Sequence, residues 1–138
     1  MNKLDLAKTT TDPKVLDELS RDEYYRVRSG VASNLNTTPE TLDYLSRDED
    51  YDVRSWVAEN PNTTPEILDY LSKDKDPTVR WTVAEHPNTT PETLKKMSIV
   101  EEDNITKLYI KSNPNCSEEL YRYLSAIEIL RTLPKVST

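Results

Sequence analysis

The chain has 138 residues, with 25 acidic against 18 basic side chains and a net charge of -7. Its one glycine argues against phosphate-cradling loops and dinucleotide-binding turns, which lean on positive φ, and its one cysteine, Cys116, excludes an intramolecular disulfide and any multi-cysteine metal site. No apolar run approaches the roughly 18 residues of a membrane span and no hydrophobic signal core opens the chain, so the expected setting is cytoplasmic, with no membrane contact.

Residues 1–9 read as an N-terminal cap. From residue 10 to residue 113 the chain repeats with a step of 26, marked by TTPE at Thr37, Thr63 and Thr89. The first unit is degenerate but in phase, since Asp12-Pro13 stands where Thr38-Pro39 later stands. Leu16, Leu42, Leu68, Leu94 and Leu120 share one column, and Val27, Val53, Val79 and Ile105 share another. Val31, Val57 and Val83 keep step, as do Ala32, Ala58 and Ala84, and Arg28, Arg54 and Arg80.

Each unit predicts two short helices. Thr38, Thr64 and Thr90 precede proline, so each caps a helix whose first residue needs no N–H partner. Leu42 and Leu45 lie on one face of that helix, and Ser46-Arg47-Asp48 ends it. A second start follows at Asp50 and Asp76, and Val53, Val57 and Ala58 form the next apolar stripe. Asn60-Pro61-Asn62, then His86-Pro87-Asn88, returns the chain to the next cap. Helices of roughly eight residues cannot bury a core alone, so neighbouring units must stack.

After Met97 the period decays, gaining one residue before Pro114 and losing one before Ser117. Residues 114–138 read as a degenerate last unit with a C-terminal capping helix. Leu120, Tyr123, Leu124, Ile127, Ile129, Leu130 and Leu133 make this stretch more apolar than any repeat element. Its apolar face either closes the last unit or mediates self-association, so the expected state is a monomer or a weak dimer through this helix.

The phrase NPNTTPEILDYLSKDKDPTVRWTVAEHPNTTPE, Asn60 to Glu92, resembles the leucine-rich repeat variant family in the order of its loop, cap, LxxL helix, acidic turn and VRxxVA. That resemblance covers about residues 10 to 114. It implies an all-α, right-handed α-solenoid of two alternating helical layers, here about five units with irregular ends, and it leaves one layer open between 3₁₀ and α. It also implies no enzymatic activity. The founding members hold an iron–sulfur cluster on an N-terminal cysteine cluster, which this chain lacks, so no cofactor is expected. A HEAT-like reading is close, but 26 residues is short for a HEAT unit.

Candidate functional residues fall into three groups. Arg28, Arg54 and Arg80 are expected to form a structural ladder onto carboxylates such as Asp48 and Asp74, a task suited to the five-donor guanidinium fork. Trp56 shares a column with Gly30 and Thr82, and Trp81 one with Ser29 and Ser55, so both rings are expected on the surface of the second-helix layer. Tyr44 and Tyr70 share a column with Glu18, Lys96 and Arg122 and read as exposed too. Finally, residues 17–76 hold 15 acidic and 7 basic side chains, a balance of -8, densest at Asp48-Glu49-Asp50-Tyr51-Asp52. That run makes a poor calcium loop, lacking the turn glycine and the glutamate in twelfth position, so no metal is expected. His86 reads as a loop residue and Cys116 as inert, and no nucleophile, base and oxyanion donors converge.

The reading is a non-enzymatic protein-interaction scaffold. Trp56, Trp81, Tyr51, Tyr44 and Tyr70 would supply contact area, and Asp48, Asp50 and Asp52 would orient a partner with a basic surface. The alternative is an acidic mimic of nucleic acid that inhibits a DNA- or RNA-binding enzyme.

Overall fold

The computed structural model describes residues 1–136, which form ten α-helices and no strand. They run α1 Lys3–Thr9, α2 Pro13–Leu19, α3 Tyr25–Ser33, α4 Pro39–Leu45, α5 Tyr51–Glu59, α6 Pro65–Leu71, α7 Pro77–Glu85, α8 Pro91–Val100, α9 Asn104–Ser112 and α10 Glu118–Thr132. The layer left open between 3₁₀ and α is thus α among the described residues.

Local chemistry sets most of these boundaries. The Thr38, Thr64 and Thr90 hydroxyls accept from the backbone N–H of Thr41, Ile67 and Thr93, and proline fills the first helical position each time. Asp50 and Asp76 cap α5 and α7 in the same way through Asp52 and Thr78. A cap of this kind stabilises its helix by about 1 kcal/mol, which matters for elements of seven to nine residues.

The odd-numbered helices pack each on the next, from α1 through α9, whereas each even helix packs mainly on its odd neighbours. Between the two layers runs one continuous core. Leu16, Leu42, Leu68 and Leu94 of the even helices and Val31, Val57 and Val83 of the odd ones are fully buried. Each such side chain contributes about 1.5–3 kcal/mol through removal from water, and no single helix pair could supply the opposing surface itself.

The register corrects two columns. Ile105 was expected in the buried place of Val27, Val53 and Val79, but it is 56% exposed and Thr106 is buried instead. The cause lies in the preceding turn. In the second and third units the amides of Asp48 and Asp74 close back three residues, onto the Leu45 and Leu71 carbonyls. In the fourth, Ser98-Ile99-Val100 continues the helix and Glu101 N–H bonds four residues back, to Met97. One residue therefore enters before Glu101 and every later position is displaced by one; no residue is lost before Ser117, and Leu120, expected in the Leu94 column, follows its Ser117 cap as Thr93 follows Thr90.

Candidate functional site

Two ladders bind unit to unit. Arg28 donates through Nε and Nη2 to the Asp48 carboxylate at 2.6 and 2.9 Å. Arg54 meets Asp74 at 2.7 and 3.1 Å, and Arg80 meets Glu101 at 2.8 and 3.3 Å. The third guanidinium nitrogen of each bonds carbonyls of its own interhelix turn, such as Asp22 and Glu23 for Arg28. These are bidentate, charge-assisted pairs, and the carboxylate bond raises each arginine's pKa further. At the N-terminal end Lys3 pairs with Asp22 at 2.7 Å and holds that carboxyl below the usual carboxylate range.

The second ladder was not anticipated. Asn34, Asn60 and Asn113 are buried, and each donates its side-chain N–H to two carbonyls of the preceding unit; for Asn60 these are Ala32 at 2.7 Å and Asn34 at 3.1 Å. Each side-chain oxygen accepts the amide two residues on. His86 corrects its reading as a plain loop residue, because it is a buried rung. Its Nδ1 accepts from Asn88 N–H at 2.9 Å, which leaves Nε2 as the donor to the Asn60 carbonyl at 2.9 Å. The recurring NPN and HPN loops carried the signal for this ladder.

The aromatic residues separate onto two faces. On the odd layer, Trp56 and Tyr51 of α5 and Tyr25 of α3 are exposed. Trp81 is half-buried and corrects its reading as a free surface ring, since it stacks on Tyr109 of α9 with centroids 5.1 Å apart. Gly30 corrects the reading of the Trp56 column as plain surface: a Cβ there would stand 3.1 Å from Ala7 Cβ, so glycine lets α1 approach α3. The column lies on the edge facing the preceding odd helix, and its residue tracks the local gap. On the even layer, Arg21 lies 4.3 Å over the Tyr44 ring and Arg47 lies 4.2 Å over Tyr70. These rings join units by cation–π contact and are not brought together with Trp56.

The acidic run also divides by task. Asp48 is withdrawn from the expected partner surface: its side chain is 7% exposed and closed by Arg28, because the turn aims it at the preceding unit. Asp50 is the α5 cap and accepts from Asp52 N–H. Asp52 lines a groove of about 370 Å³ with Leu4, Lys8, Tyr25, Ser29, Gly30 and Trp56. Within that groove wall the Ser29 hydroxyl is buried without a hydrogen-bond partner. Cys116 is half-buried, and burial pushes its thiol pKa up. No helix among the described residues is long and apolar enough to cross a membrane.

Helix pairs stacked on a shared core and tied by two side-chain ladders define the class: an all-α repeat solenoid, an architecture that serves as a protein-interaction scaffold. Residues 28–85, from α3 through α7, match the Leucine Rich Repeat Variant domain. Searches of curated proteins and of solved structures returned no match.

Proposed function

We propose that the chain is a non-enzymatic protein-binding module whose partner seats on the odd-layer face around Trp56. One observation carries this reading: Trp56 stands 42% exposed beside a groove lined by the small residues Ser29, Gly30 and Ser33 and by Tyr25. A large ring beside a floor of small residues is the arrangement of an interface anchor. The -8 balance of residues 17–76 would steer a partner with a basic surface toward it. A nucleic-acid mimic would use evenly stepped carboxylates open to solvent, such as Glu40, Glu66 and Glu92, whereas Asp48, Asp74 and Glu101, each closed by an arginine, would take no part.

The test is affinity capture from the host's lysate with wild type and Trp56→Ala, read by quantitative mass spectrometry. An anchor truncation costs about 2 kcal/mol or more, so the partner should fall by about thirtyfold in affinity while the helical circular dichroism stays unchanged. Equal retention by the two proteins would remove Trp56 from the interface.

A further inference from the structure

In the odd layer, the column that holds Trp81 faces forward, onto the next odd helix. Its counterpart on α9 is Leu108, which is 55% exposed, with Ile105 also exposed one turn away. Helix α10 does not cover them, since it buries only Leu120 and Leu124. At the tip of α8, Ile99 and Val100 are 72% and 75% exposed. Ile99, Val100, Leu108, Tyr123 and Ile127 line one groove of about 530 Å³ between these three helices. An apolar surface of this extent is unusual for a face that stays in water.

Charge says what fits there. Lys107 stands 27 residues after Arg80, in the next rung position of the arginine ladder, yet bonds no carboxylate among the described residues. Among the described residues Arg131 reaches only the Asn104 side-chain oxygen, at 3.3 Å. On the same rim Glu102 is exposed and makes no ion pair among the described residues. The groove thus surrounds an apolar centre with unpaired charges of both signs, which a two-fold axis would let Lys107 of one copy and Glu102 of the other neutralise. Residues 95–138 hold 7 basic and 6 acidic side chains, a balance of +1, against -8 over residues 17–76. Two copies therefore repel through the rest of the solenoid and can approach at this end.

We propose that the groove between α8, α9 and α10 docks a second copy of the chain, end to end and two-fold. Sedimentation equilibrium of the full chain from about 1 to 300 μM should show the mass rising from one chain to two and no further. Leu108→Glu, at an exposed position where folding is little affected, should weaken the dimer by at least about tenfold, because a carboxylate would be buried in an apolar contact. Lys107→Glu should weaken it too, and Glu102→Lys in the same chain should restore it. Trp56→Ala should leave the dimer unchanged, which separates this face from the proposed partner face. A single-chain mass at every concentration would overturn the proposal and assign the groove to an unlike protein. Growth beyond two chains, or a dimer indifferent to Leu108→Glu, would overturn it equally.

Discussion

At the scale of the residue, His86 shows how a column can change its amino acid and keep its chemistry. Asparagine at this site must donate backward to a carbonyl of the preceding unit and accept from the amide two residues on, as Asn60 does. Neutral imidazole meets both demands when Nε2 carries the proton, because Nδ1 is then free to accept from Asn88. His86→Asn should therefore leave stability within about 0.5 kcal/mol of wild type. His86→Leu fills similar space but takes one of two bonds from the buried Asn60 carbonyl, which keeps the Thr63 amide, and leaves the Asn88 amide without its side-chain partner, a loss of about 1–2 kcal/mol. Urea midpoints of the three proteins would check this, and a leucine variant as stable as the asparagine one would mean that the ladder contributes nothing.

At the scale of the element, the α9 cap ties helix formation to proton concentration. Asp103 caps α9 and accepts both the backbone N–H and the hydroxyl of Thr106, at 2.7 and 2.8 Å. Those bonds hold its carboxyl below the usual carboxylate range, the backbone one most strongly. Asp69 is lowered likewise, first by the Thr93 hydroxyl and then by Lys96. A carboxyl whose pKa is depressed by folding stabilises the fold above its unfolded value, and that contribution disappears as pH falls through the folded one. The loss therefore belongs below about pH 4, with none near neutrality. Asparagine also caps well, so Asp103→Asn should keep α9 at pH 7 and flatten the decline of stability in acid, measured by thermal unfolding across that range. An unchanged acid slope would show that the Asp103 bonds do not couple to folding. Caps, core columns and unit length were legible in the sequence because each is written in single residues at a fixed step. Two things were not. The added residue before Glu101 hides in an apolar run that continues a helix as readily as it ends one. The division of the aromatics between layers depends on which helix edge meets which neighbour, as the Gly30, Trp56 and Thr82 column shows, and spacing along the chain does not encode that.

At the scale of the whole molecule, the ladders decide whether ten short helices unfold together. A repeat array is as cooperative as its nearest-neighbour interfaces are strong relative to its units, and these units are two short helices each. The rung at the centre is Arg54 with Asp74, whose side chains are 7% and 6% exposed. Replacing the arginine alone leaves a buried carboxylate unpaired, at a cost of about 3–5 kcal/mol. That cost falls at one place, on the joint between α5 and the turn that leads from α6 to α7. Arg54→Ala should therefore do more than lower the midpoint. Native-state hydrogen exchange should show the helices on the two sides of the joint opening at separate denaturant concentrations, where wild type opens as one unit. Arg54→Met together with Asp74→Leu removes both charges and should recover most of the stability, since a buried ion pair is commonly no better than apolar packing of similar volume. If Arg54→Ala lowered protection evenly from α1 to α9, the shared core alone would hold the units together, and the ladder would set the register of the stack without setting its cooperativity.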